Sequence, residues 1–154
     1  MIQNLRRIVM MSILSSILAA CAGEKPDNLG VQGGRLTECP RSPNCVSSQA
    51  VAERHRIAPI VFSGDPAHAF ARLKQTLVCR EDTTIIEERP GYLRVEFRTT
   101  LFVDDGEFFL DSQQRVIHTR SASRVGYSDL GKNRRRMEEI CRQFTNKAAS
   151  ANIE

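Results

Sequence analysis

The sequence predicts an α+β domain, an antiparallel sheet of four to five strands with two helices packed on one face. Three observations carry this. Apolar residues recur at helical spacing in two stretches, 65–79 and 130–144. Between them lie four β-rich segments, and in one of them, "YLRVEFR", apolar and charged residues alternate at period two. The connections between these segments are short and polar, which implies antiparallel neighbours. A sheet with one apolar face and a helix at each end of the chain buries that face most economically under both helices.

The elements follow in order. "HRIAPIVF" (55–62) reads as a short strand broken by Pro59. The first helix opens at Asp65, whose carboxylate can accept from the free amides of the first turn, and at Pro66, whose fixed φ suits the first helical position. Phe70, Leu73 and Leu77 form its apolar stripe, with Ala67 and Ala71 expected on the flank. "TTIIEE" (83–88) is β-branched, and Arg89-Pro90-Gly91 turns it into "YLRVEFRTT" (92–100). There Leu93, Val95 and Phe97 face one way, Arg94, Glu96 and Arg98 the other. "DDGEFFLD" (104–111) and "RVIHTRSAS" (115–123) follow, parted by a polar turn at Ser112-Gln113-Gln114. The last helix starts at Ser128 or Asp129. Leu130, Met137, Ile140, Cys141 and Phe144 make its stripe, while Arg135, Arg136, Glu138 and Glu139 are expected to face water, with Arg134–Arg136 either solvated or paired with Asp104, Asp105 or Glu138.

The N-terminus reads as an address. Arg6 and Arg7 precede an apolar stretch, 8–18, that is shorter than the ~20 residues a membrane-spanning helix needs. It ends in "LAAC", Leu18-Ala19-Ala20-Cys21, which resembles the lipobox of bacterial lipoproteins; an ordinary secretory signal with a chance cysteine is the plainer alternative. On the lipoprotein reading, residues 1–20 are a signal peptide, Cys21 carries the lipid, 21–38 is a flexible tether rich in glycine and polar groups, 39–146 is the domain and 147–154 a disordered tail. The chain would then sit in the bacterial envelope at the periplasmic face of a membrane. Ala22 follows the cysteine where an aspartate would signal inner-membrane retention, so the outer membrane is favoured. Losing Arg6 and Arg7 with the signal lowers the net charge from +4 to +2. So small a charge, in an exported chain, argues against nucleic acid as a partner.

Four cysteines remain in an oxidising setting. Cys39 and Cys45 flank "PRSPN", whose two prolines force turns, and are expected to form a disulfide. Cys79 and Cys141 fall on the two helices and could staple them, or stay reduced as small buried hydrophobes.

"CPRSPNCVSSQA", "HRIAPI", "FVDDGEFFLD" and "RSASRVGYSDLGKNRRR", in that order, give the chain a resemblance to the bacterial and plastid domain family DUF1499 over about residues 39–145. The resemblance implies a shared fold and an export-linked setting, and it implies no reaction. "RTTLFVDD" looks shorter than the family's usual approach to the aspartate pair, and Cys79 and Cys141 lie outside the family pattern.

The residues that could carry chemistry are few. "RSASRVGYSDLGKNRRR" (120–136) offers Gly126 for a turn and Asp129 as a helix cap. Its Arg120 and Arg124 are read as an internal clamp on Asp104 and Asp105, with bidentate anion binding as the alternative. Arg94 and Arg98, joined by His118 and Arg120 on the sheet's second face, either form a solvated outer face or bind an anionic small molecule, lipid or peptide. A hydrolase reading would use Cys45, Ser47 or Ser48 with His55, but the motifs lack an assembled nucleophile elbow or protease signature. Cys39, Cys45 and His55 have an unusual spacing for a metal, and no motif asks for a cofactor. The expected role is a non-enzymatic binding or assembly and maintenance factor, anchored to the membrane by its N-terminal lipid.

Overall fold

Asp65 and Pro66 start the first helix as their chemistry dictates. The Asp65 carboxylate accepts from His68 N at 2.9 Å, and α1 runs over Pro66–Val78. The computed structural model describes residues 23–151 of the chain; Cys21 and the expected signal peptide lie outside them. The strands in chain order are β1 (Val31–Gln32), β2 (Arg35–Leu36), β3 (Cys45–Ser47), β4 (Ile60–Val61), β5 (Thr83–Arg89), β6 (Tyr92–Arg98), β7 (Val103–Asp111) and β8 (Val116–Ser123), and α2 (Lys132–Ala151) closes the chain. β1 and β2 form a small hairpin around Gly33 and Gly34, both at positive φ. The main sheet is antiparallel in the order β3-β8-β7-β6-β5, and β4 also pairs with β8.

Six strands replace the expected four to five. β3 and β4 share one edge of β8, with Ser47 opposite Arg120 and Ile60 opposite Ile117. Segments of two and three residues are too short to show a period, so they leave little trace in the sequence.

Both helices cover one face. Ala69, Leu73 and Leu77 of α1 and Met137, Ile140 and Phe144 of α2 share a core with Leu93, Val95, Phe97, Phe108 and Ile117 of the sheet. Ala69 and Thr76, rather than Ala67 and Ala71, line the buried flank of α1. Arg136 takes the paired alternative, with Asp104, but inside the domain rather than facing water. Its guanidinium is buried against the Phe97 ring, 4.5 Å from its centroid, and 2.8 Å from a carboxylate oxygen of Asp104. An arginine on the apolar face of α2 is tolerated because the ring face and a carboxylate meet its charge.

Gly106 sits in β7, the middle strand, directly opposite Val95. A Cβ there would collide with Phe97 Cε2 and lie 2.8 Å from Val95 Cγ2. The glycine is therefore the space into which the Phe97 ring packs.

The chain ends differ from expectation as well. The segment from Gly30 to Leu36 is no free tether, because Gly30 and Leu36 are buried and the β1–β2 hairpin docks on the domain. Polar, glycine-rich composition permits a linker, but here the same glycines let a narrow hairpin lie close to the sheet. At the other end α2 continues to Ala151, so helix replaces the first part of the tail expected from residue 147.

Gly106→Ala is expected to destabilise the domain by about 1–3 kcal/mol, the usual range for overpacking a well-filled core. Thermal or urea unfolding of the variant measures this, and a paired Phe97→Leu change should recover part of the loss by vacating the space.

Candidate functional site

Strand parity puts Tyr92, Arg94, Glu96 and Arg98 of β6, Asp105, Glu107 and Phe109 of β7, and His118 and Arg120 of β8 on the sheet face turned away from the helices. The sequence reading expected this face to be open to water or to an anionic ligand. It is closed. Arg94, Glu96, Asp105, Glu107, His118 and Arg120 are all buried.

The register explains how so many charges coexist. Glu107 is the direct partner of Arg94 on one side and of Arg120 on the other. Its side chain is 0 % exposed; it accepts from Tyr92 Oη at 2.8 Å, from Arg120 Nη1 at 3.2 Å and from the backbone N–H of Gly30 at 2.7 Å. Gly30 belongs to the N-terminal segment, which thus forms a strap over the second face. Burial, and then the neighbouring Glu107 carboxylate, hold the Tyr92 hydroxyl well above the ordinary tyrosine range. Burial pulls Arg120 below its ordinary value, against the opposing pull of Glu107.

A second cluster lies beside the first. Arg124 donates to both Asp105 oxygens at 2.8 Å and to Glu96 Oε1 at 2.5 Å, and Arg98 reaches the other Glu96 oxygen at 2.5 Å. The bidentate bond to Asp105 raises Arg124 above the usual arginine value. Burial pushes the Glu96 carboxyl up, but its bonds to Arg124 and Arg98 outweigh that, and the net shift is downward.

The expected clamp is thus divided. Asp105 meets Arg124, while Arg120 serves Glu107, and Asp104, on the helix face, meets Arg136. Adjacent aspartates on a strand point to opposite faces, so one arginine pair on one face could not hold both. Arg94 pairs with Glu87 at 3.3 Å. Of the five residues read as a ligand face, only Arg98 is open, at 57 % side-chain exposure. Arg94, Arg98, Arg120 and Arg124 each meet a carboxylate, from Glu87, Glu96, Asp105 and Glu107, and Arg89 shares Glu87, so the arginines of this face are committed to the protein's own acids.

The stretch from Arg120 to Arg136 makes the turn from β8 into α2. Asp129 caps it, accepting from Asn133 N at 2.7 Å and from Gly131 N at 3.0 Å. Asn133 is fully buried, and its amide donates to Asn44 O at 3.1 Å and to Ser123 Oγ at 3.0 Å, joining α2, β8 and the disulfide loop. Arg134 donates to the carbonyls of Arg54 and Arg56, and Arg135 to that of Leu130. On the outside of this turn lies a cleft of about 450 Å³, lined by Phe102, Val125, Gly126, Leu130, Lys132 and Arg135 among others.

A family model described as Protein of unknown function (DUF1499) matches residues 35–144, more than two thirds of the chain. The chain belongs to the DUF1499 family. The match begins at Arg35, four residues before the expected start of the domain, and so takes in β2 of the docked hairpin. No curated protein and no solved structure matches the chain.

Within the DUF1499 domain the cysteines divide as their spacing suggested. Cys39 and Cys45 form the expected disulfide. Cys79 and Cys141 are unbonded, so the helix staple is not formed: Cys79 is exposed, 3.8 Å from Lys147 Nζ, and Cys141 is partly buried, which pushes its thiol up.

The residues of the hydrolase reading do not assemble around His55. Its Nδ1 donates to Cys45 O at 2.8 Å and its Nε2 accepts from Arg54 Nε at 3.0 Å, so neither nitrogen is left for Ser47 or Ser48. Ser47 instead accepts from Gln49 N at 3.2 Å. Ser48 meets a different histidine. Thr119 N donates to Ser48 Oγ at 2.9 Å, and the hydroxyl lies 3.2 Å from His118 Nδ1. Burial holds His118 below its ordinary pKa, against the raising effect of Asp111, which favours the neutral ring. Phe109 stacks on that ring at 6.2 Å between centroids. Among the described residues no three His, Cys, Asp or Glu side chains are grouped to hold a metal ion.

Arg124→Gln leaves Asp105 buried beside a neutral amide and is expected to cost about 3–5 kcal/mol, whereas Arg98→Gln, which removes a half-exposed arginine and leaves Glu96 its bond to Arg124, should change stability by less than about 1 kcal/mol. Adding Asp105→Asn to Arg124→Gln should cost less than the sum of the two single changes, which urea unfolding of the cycle measures. The Glu96 shift sets an acid limb. Its folded pKa lies below the ordinary 4.5, so its contribution is complete above that value and is lost as pH falls through the folded pKa. Unfolding midpoints from pH 6 down to about 3 should therefore fall less steeply in Arg124→Gln than in the parent.

Proposed function

We propose that the chain is an envelope lipoprotein, anchored through Cys21 at the periplasmic face of a membrane, with a non-enzymatic binding or assembly and maintenance role. The observation that carries binding over catalysis is the state of His55, whose two nitrogens are committed to Cys45 O and Arg54 while Cys45 is held in a disulfide. The disulfide, which forms and persists in oxidising compartments, supports the envelope setting. The lipobox-like "LAAC" and the weak net charge support an anchored domain that does not bind nucleic acid. The second face is closed, and of the clefts among the described residues the one between the β6–β7 loop and the turn into α2 is the surface we assign to a partner.

Cys21→Ser is expected to release the protein from the membrane fraction or to block processing. Unchanged partitioning together with unchanged mature mass would refute the anchor.

A hydrolase reading survives in one specific form, Ser48 with His118 as its base, because theirs is the serine–histidine contact that geometry supplies. His118 is oriented there by the Phe109 ring, where a hydrolytic triad would place a carboxylate. An electrophilic serine probe is therefore expected to leave Ser48 unlabelled. Labelling abolished by His118→Ala in a variant that still melts cooperatively would favour the enzyme.

A further inference from the structure

The apolar side chains around the turn into α2 are displayed, not buried. Leu130 is 84 % exposed and takes a left-handed backbone, φ 53°, which a bulky residue seldom adopts. Local bonds impose it: Leu130 N donates to Ser128 Oγ at 3.2 Å, Gly131 N to Asp129 Oδ1 at 3.0 Å, and Arg135 Nη1 to Leu130 O at 2.9 Å. Tyr127, three residues earlier, is 77 % exposed, and Leu101 and Phe102 are exposed in the β6–β7 loop. Phe102 and Leu130 line the same cleft as Val125, Lys132 and Arg135. Asp104 and Asp129 line it too, but Arg136 pairs with the first and the helix amides occupy the second. Lys132 and Arg135 form no ion pair among the described residues, so their charges are turned to the cleft's rim rather than spent on a carboxylate.

The N-terminal segment arrives at this same end. A Cβ on Gly23 would lie 2.7 Å from Val125 Cγ1 and 2.8 Å from Arg124 Cβ, so the backbone at Gly23 is pressed against the residues that border the cleft. Cys21 is two residues further along the chain, a reach of about 7 Å at full extension.

We propose that this end of the domain is a membrane-contact face, on which Leu101, Phe102, Tyr127 and Leu130 enter the interfacial layer while Lys132 and Arg135 meet anionic phospholipid headgroups. The inference rests on the reading of Cys21 as the lipidated residue, since an anchor there would hold this end, and no other, against the bilayer. Leucine and aromatic side chains above a basic rim are the composition that binds membrane surfaces. The lipid thus does more than tether the domain; it sets its orientation.

The chain contains no tryptophan, so single Tyr127→Trp and Val61→Trp variants report two places. Val61 is exposed and pairs with Val116, at the opposite end of β8 from the cleft. Each protein, purified with its native anchor, is placed in vesicles of phosphatidylglycerol and phosphatidylethanolamine containing brominated phospholipid. The expected result is loss of most of the Tyr127→Trp emission, little loss for Val61→Trp, and weaker quenching of Tyr127→Trp once Lys132→Glu and Arg135→Glu are added. Mass analysis of the Cys21 peptide accompanies the measurement. A lipidated peptide with equal quenching at both positions, or with none, overturns the contact face and leaves the lipoprotein reading standing; quenching of neither, with crosslinking of Tyr127 to a protein, replaces the bilayer by a protein partner. An unmodified Cys21 peptide overturns both readings.

Discussion

A carboxylate at the centre of a sheet, with water on neither side, must be met by donors or it cannot remain charged, because removing an ion from water carries a penalty of several kcal/mol. Glu107 is in that position. Its partners come from three directions, the Tyr92 hydroxyl from β6, the Arg120 guanidinium from β8 and the Gly30 amide from the strap. Each of those in turn constrains its own element: Arg120 must sit directly opposite, which sets the β7–β8 register, and Gly30 must come within hydrogen-bond reach, which brings the strap down onto the sheet. The neighbouring Arg124–Asp105–Glu96 cluster follows the same requirement one pair further along the strands. A one-residue slip would turn every one of these charges into the helix-side core, so the ion pairs specify register as firmly as the apolar face does.

The helices and long strands were legible because they rest on period. Asp65-Pro66 at the start of α1 and the alternation in "YLRVEFR" state their structure in residue type alone. Parity alone separates Asp104 from Asp105, and the clamp drawn across both of them did not apply it. What remained illegible depends on contacts between distant segments. Glu107 is one acid among several in "DDGEFFLD", and its role appears only when the Ser112–Gln114 turn places it opposite Arg120. That pairing could have been found by counting back from the turn, since Asp111 and Val116 flank it as the last pair of the ladder. Arg136 was placed on the water side of α2, solvated or paired with an acid such as Asp104; the pairing is met, and what residue type alone did not announce is its burial against the Phe97 ring. The strap was assigned to a tether because composition reports the capacity to be flexible, not the presence of a surface on which to settle.

The two sides of the domain therefore do different work. Its second face, expected to be open to water or to a ligand, is spent on holding the sheet to the strap, and its arginines are taken up by its own acids. The stretch from Arg120 to Arg136 is split between these tasks. Arg120, Arg124 and Arg136 are interior groups, Asn133 joins the elements, and Tyr127 and Leu130 are the large apolar side chains that turn outward. Being basic in sequence, the stretch suggests a binding site for anions; in space, its arginines are largely the counter-ions of the protein's own acids.

The strap also carries a consequence for how the domain assembles. Gly30 and Glu107 are 77 residues apart, and the rest of the pair's shell, Tyr92 and Arg120, likewise belongs to the second half of the chain. A ribosome delivers the strap first and its docking surface late. Through most of synthesis the hairpin has nothing to rest on, and the helix-side core, whose α1–β5–β6 portion is closer in sequence, can condense without it. Contacts of such long separation close slowly and leave surfaces open meanwhile. The second face thus shuts only once β8 is in place, and until it does, the sheet presents a row of charged side chains that resists the association to which a bare apolar sheet would be prone.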